Sequence, residues 1–152
     1  MAHAMEDSEV AAFLELLPAR TAKLATVRAD GRPHIAPIWF ALDRSTVGED
    51  SGVGDLMFNT GADSVKGRNL VRDPRVALCV DDDTPPFTFV IVEGTATVTE
   101  DPDELLHWST VIGGRYMGDD QAEEYGRRNG VPGELLVRLR PTRIIASAAV
   151  AD

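Results

Sequence analysis

Residues 21–42 read TAKLATVRADGRPHIAPIWFAL, and the reading of this stretch decides the fold class. Over 21–27 the side chains alternate with the period of two that turns one face of a strand to a core. Arg28, Ala29, Asp30, Gly31 and Arg32 then supply a turn, with Gly31 free to take a positive φ. Residues 33–42 return as a second strand. Its two prolines, Pro33 and Pro37, cannot donate to a ladder, so they belong at a strand start, an edge or a bulge. A short turn between two such runs makes an antiparallel hairpin.

Working outward, residues 8–17 read as a short helix, because Val10, Phe13, Leu14 and Leu17 fall at i, i+3, i+4 and i+7 before Pro18. Residues 1–7 are left as a flexible segment. Residues 43–54 form a polar, mobile hairpin loop, and 55–59 a third strand. Asp63 or Ser64 caps a helix that runs to about Arg72 and ends at Asp73-Pro74. Residues 76–80 and 87–98 are two more strands, separated by an acidic, proline-containing loop. Asp101, Pro102 and Glu104 mark a helix start with an acid cap, proline at the first position and glutamate at the third. That helix carries Leu105, Trp108 or Ser109, Ile112 and Tyr116 on one side. A further helix over 120–129 closes with Asn129-Gly130. Residues 134–140 and 142–150 finish the chain as strands. Six or seven short strands with turn signals and a few helices predict a mainly β chain with α, an antiparallel β-barrel decorated with short helices. No strand–helix–strand alternation supports a doubly wound sheet.

The bulk composition fits one domain over 1–152. A chain of this length buries roughly two thirds of its unfolded surface, enough for one core. Apolar residues make up 43% and charged residues 26%, ordinary for a globular protein. No apolar run approaches the roughly 20 residues of a membrane helix. The N-terminus lacks the basic and apolar regions of a signal peptide, so a cytoplasmic location is expected. The lone Cys79 agrees with a reducing compartment and reads as a buried structural thiol. A net charge of −10 argues against nucleic acid as the partner, since phosphate neutralisation needs a basic face. It also makes each basic cluster more informative, and only Lys23 and Lys66 are lysines.

The usual catalytic signatures are missing. His3, His34 and His107 have no metal-site spacing, and no phosphate loop, dinucleotide fingerprint or nucleophile elbow is present. Side chains alone therefore carry no bond-breaking chemistry here; a bound cofactor would have to supply it. Residues 57–70, MFNTGADSVKGRNL, are the most informative. A strand empties into a turn of small residues that opens a helix with Ser64 and Lys66 at its start. A helix N-terminus carries unpaired N–H groups and about half a positive charge, and so attracts anions. Lysine in that first turn opposes the dipole, a placement that a phosphate would explain by neutralising both. Asn59 and Thr60 at the strand end suit a polyol or ring edge. The proline-broken segment Ala36, Pro37, Ile38, Trp39, Phe40 leaves backbone groups free for a ligand's heteroatoms. Trp39 and Phe40 point to opposite faces, so one is core while the other meets a ring system or a partner subunit.

With these segments in place, the chain resembles the pyridoxamine-phosphate-oxidase-like (PNPOx-like), FMN-binding split-barrel superfamily. More closely, it resembles the superfamily's actinobacterial branch of reductases that use the deazaflavin coenzyme F420. The resemblance rests on 21–27, 30–40, Asn59-Thr60, 64–70, 73–78, 93–96 and Arg115-Tyr116, and it spans 17–146. It implies a homodimer with cofactor sites at the subunit interface. In such a site Ala36, Pro37, Ile38, Trp39 and Phe40 would flank the ring. Asn59 and Thr60 would meet the ring edge or side chain, and Ser64 and Lys66 the phosphate. Arg68 is either a further phosphate contact or a surface or dimer contact.

The implied activity is hydride transfer from the reduced deazaflavin to an activated C=C or a conjugated carbonyl of a small molecule. The alternatives are an FMN-dependent oxidoreductase on the same barrel and a non-catalytic carrier of flavin or deazaflavin. The chain departs from the oxidase pattern where Ala36 and Val65 replace arginines and Phe89 replaces a glutamine. Those losses favour the deazaflavin over FMN. No side chain is singled out as catalytic.

Overall fold

In the computed structural model, which describes residues 1–49 and 51–152, the chain opens with β1 (His3–Ala4), α1 (Asp7–Glu15), β2 (Ala22–Val27), β3 (Pro33–Ile38) and β4 (Ala41–Asp43). It continues with β5 (Asp55–Gly61), α2 (Val65–Arg72), β6 (Arg75–Asp82) and β7 (Thr88–Thr99), then α3 (Pro102–Met117), α4 (Ala122–Asn129) and β8 (Glu134–Ala148). Residue 50, inside the hairpin loop expected over 43–54, lies outside the described residues.

The opening hairpin folds as its alternation dictates. β2 turns Ala22, Leu24 and Thr26 inward and leaves Lys23, Ala25 and Val27 outward. β3 pairs with it antiparallel, from Ala22 opposite Ile38 to Val27 opposite Pro33. Gly31 takes φ 87° in the turn, a conformation open to glycine at no steric cost.

All strand pairs are antiparallel, and the sheet runs β3-β2-β6-β7-β8-β5-β4, with β1 added on β8. The two ends of that path, β3 and β4, are consecutive in the chain and joined by Trp39 and Phe40 alone. Three Cα steps reach about 11 Å, so the outer edges of the sheet must curl toward each other. The result is a split barrel whose seam is that two-residue joint.

Among the described residues eight strands stand where the sequence predicts six or seven, the net result of three local changes. The run 33–42 breaks at Trp39 and Phe40 into β3 and β4. The two strands expected over 134–140 and 142–150 fuse into β8, because Pro141 is absorbed opposite Gly94 at a register shift between Glu93 and Gly94. Residues 1–7, read as a flexible segment, contain β1, with His3 opposite Ala148 and Met5 N donating to Ala146 O at 3.2 Å.

The barrel interior gathers Leu24, Phe40, Phe58, Val90, Val92 and Val137 in one apolar cluster. α1 lays Val10, Ala11, Phe13 and Leu14 on it, each large side chain contributing about 1.5–3 kcal/mol relative to exposure. Leu17, expected on that face, is instead 68% exposed beyond the helix end. Cys79 is half-buried rather than buried, because it falls on the outward phase of β6 between Leu78 and Val80. A polar clamp ties β4, β5 and β8: Arg138 Nη1 reaches Asp43 Oδ2 at 2.9 Å and Asp55 Oδ2 at 3.0 Å. No helix among the described residues is long and apolar enough to cross a membrane.

Candidate functional site

The strand end and helix start at 59–66 are built by local chemistry. Ser64 is the N-cap of α2: its Oγ accepts from Gly67 N at 3.0 Å and donates to Gly61 O at 2.7 Å. Thr60 Oγ1 joins the same cluster, 3.0 Å from Ser64 Oγ. Arg68 N donates to Ser64 O, which leaves the Val65 and Lys66 amides as the open donors of the first turn. Gly67 permits the close approach, since a Cβ there would collide with the backbone oxygen of Gly61. The turn is thus compact, and it aims a half-buried Lys66 beside the end of β5.

The other wall is the seam. Trp39 stacks parallel on Tyr116, with ring centroids 4.9 Å apart and planes 2° from parallel, and tilts against Tyr125 at 6.2 Å. Tyr116 also locks the backbone: its hydroxyl accepts from Phe40 N at 3.2 Å and donates to Arg20 O at 2.7 Å. Burial pushes the Tyr116 phenol above its ordinary value, against the opposing pull of the Phe40 amide and Arg115. It is therefore a neutral hydroxyl that anchors the joint.

Between these walls lies an open cleft of about 390 Å³, within the size range of small-molecule sites. Pro37, Ile38 and Trp39 line it from the seam, and Asn59, Thr60 and Lys66 from the β5–α2 turn. These two groups of residues, 20 or more positions apart in the sequence, are brought together. Ala36, Phe40 and Ser64 do not line it. Phe40 is fully buried in the core under the Arg115 guanidinium, 5.3 Å from its ring centroid. The Ser64 hydroxyl is engaged as the helix cap. Arg68 is exposed, and it and Phe89 are also absent from the lining.

Thr21, Gly61, Asn129 and Glu134 complete the cleft and were not legible as site residues. Asn129 and Glu134 arrive through the β5–β8 register, which sets Gly61 opposite Glu134, and through Asn59 Nδ2 donating to Asn129 O at 3.4 Å. The loops over 43–54 and 81–87 contribute no lining residue among those described. Burial raises the Glu134 carboxyl above its ordinary value, partly offset by the charge of Lys66. No ion pair or hydrogen bond reaches the Lys66 ammonium among the described residues.

The fold has relatives. A solved structure of a conserved hypothetical protein from Mycobacterium tuberculosis superposes with a TM-score of 0.79 at 29% identity, covering 95% of this chain and 86% of that one. A solved F420 reductase superposes with a TM-score of 0.59 at 28% identity, covering 82% of this chain and 88% of its own. In sequence, 78 residues are 36% identical to a 5a,11a-dehydrotetracycline/5a,11a-dehydrooxytetracycline reductase of Streptomyces rimosus; the match takes in 49% of this chain and about half (51%) of that enzyme. The model of the pyridoxamine 5'-phosphate oxidase family matches residues 7–148. That match spans most of the chain, and the chain belongs to the pyridoxamine 5'-phosphate oxidase family.

Proposed function

We propose that the chain is an oxidoreductase whose cleft holds the deazaflavin coenzyme F420, with a small molecule bearing an activated C=C or conjugated carbonyl as its substrate. The observation that carries this reading is Lys66: a first-turn lysine with no ion pair among the described residues, lining a cleft with an indole wall. Lys66 and the open amides of α2 suit a phosphate. Trp39, Pro37 and Ile38 suit the flat face of a tricyclic ring, and Asn59 and Thr60 a polyol between the two. When bound, the reduced deazaflavin supplies hydride. The chain's own contribution is alignment of ring and substrate, worth up to about 7–11 kcal/mol in favourable cases. A solved F420 reductase of similar fold and the reductase from Streptomyces rimosus support the direction of the reaction.

A homodimer with the site at its interface belongs to the same reading. The outward face of the sheet carries Ile35, Ala25, Ala77, Cys79, Ile91 and Ile145 in adjoining register rows. Ile35 is 68% exposed, and a hollow of about 370 Å³ lies on this face. Pro37 stands on the same face, opposite Lys23, and also lines the cleft, so a second copy seated there would border the cofactor.

Parallel titration of the apo-protein with coenzyme F420 and with FMN tests the cofactor. Tighter binding of F420 is expected. A preference for FMN of more than tenfold, about 1.4 kcal/mol, would overturn the choice in favour of an FMN enzyme. Single-turnover oxidation of bound, reduced F420 by a panel of enones and quinones separates an enzyme from a carrier, which would bind and not react.

A further inference from the structure

We propose that Glu134 is a charge filter on the cofactor's phosphate, making the cleft suit a singly charged phosphodiester over a doubly charged phosphomonoester. The inference rests on the reading of the cleft as a cofactor site and names what selects the cofactor within it.

Among the residues that line the cleft, Lys66 carries the sole positive charge and Glu134 the sole negative one, and no arginine contributes. Their convergence is fixed by topology. Glu134 opens β8 and pairs with Gly61, the last residue of β5, three residues ahead of the Ser64 cap of α2. Ala62 N donates to Gly133 O at 2.8 Å, pinning the two chain ends together. A Cβ built on Gly61 would lie 4.0 Å from Glu134 Oε1, so the carboxylate sits beside the bare backbone of the strand end that leads into the lysine turn. No hydrogen bond or ion pair reaches that carboxylate among the described residues. Among the described residues the charge that acts on it is that of Lys66. The seat is therefore neutral overall, one cation against one anion.

A phosphate monoester such as FMN carries a charge of about −1.5 to −2 near neutral pH. A phosphate esterified on both sides, as in the deazaflavin with its tail, has no second proton to lose and stays at −1. In a half-buried cleft each added charge beside a fixed carboxylate is penalised, and the penalty grows with the ligand's charge. Lys66 attracts both phosphates, while Glu134 repels the monoester more. A seat with paired basic residues and no acid would rank the two the other way.

The test compares FMN with riboflavin 5'-(methyl phosphate), which keeps the ring and ribityl chain and changes only the phosphate charge. Dissociation constants near neutral pH are measured for the wild type, Glu134→Gln and Glu134→Ala, with thermal melts as a folding control. The steric cost of the methyl group is common to all three proteins and cancels in the comparison. Both variants are expected to shift the ratio of the two constants toward FMN by about three- to tenfold, chiefly by tightening FMN. A ratio that stays the same in both folded variants overturns the filter while leaving the cofactor reading intact. Failure of the wild type to bind FMN, the methyl ester and coenzyme F420 alike overturns both.

Discussion

Arg138 shows how much one side chain holds. Its guanidinium bridges Asp43 and Asp55, Arg140 Nε lies 3.9 Å from Asp55 Oδ2, and the Asp55 side chain is 2% exposed. Removing one member of such a buried cluster leaves uncompensated charge, so Arg138→Met is expected to cost about 3–5 kcal/mol in urea unfolding. Burial alone would raise the Asp43 carboxyl; hydrogen bonds from Ser45 and Arg138 outweigh it and hold the group below its ordinary 3.8. A group depressed in the folded state stabilises above its unfolded pKa and loses that contribution as pH falls through the folded value. Urea midpoints should therefore decline below about pH 4, and less steeply in Arg138→Met. In the seam, Tyr116→Phe keeps the stack on Trp39 but strands Phe40 N and Arg20 O, at an expected cost of about 1–3 kcal/mol.

Among the elements, α2 was legible because its signals are local: a cap at Asp63 or Ser64 and a stop at Asp73-Pro74. The resemblance implies that Ser64 meets the phosphate, and in the fold its hydroxyl accepts from the Gly67 amide and donates to the Gly61 carbonyl. Glu134 escaped the sequence reading because strand register between β5 and β8 places it, and Asn129 because it meets Asn59 from the end of α4; nothing near either residue encodes a contact some 70 positions away. The two roles of the turn are separable. Gly67→Ala drives a methyl group into the Gly61 carbonyl and is expected to lose about 1–3 kcal/mol of stability along with cofactor affinity. Lys66→Ala should weaken phosphate-bearing ligands and leave the thermal melt unchanged; equal affinity in that variant would remove the phosphate assignment.

At the scale of the whole molecule, the mainly β architecture followed from alternation and turn residues. A barrel was expected on the same grounds, but the strand order that closes it was not legible. Closure depends on β3 and β4 lying at opposite ends of a seven-strand path, and strand order is a long-range property. For the outward face, sedimentation velocity should find a dimer, and Ile35→Glu a monomer with reduced cofactor affinity. A wild type that sediments as a monomer with cofactor bound would dismiss the shared site.

Trp39 and Phe40 join the two outer strands of the sheet while Trp39 walls the cleft. Extra residues spliced into the surface turn at 28–32 would leave the cylinder and its ligand site as they are. The same insertion between Ile38 and Ala41 would let the cylinder spring open and carry away the indole in one event. Variation in length is thus free at the rim of this molecule and forbidden at its hinge.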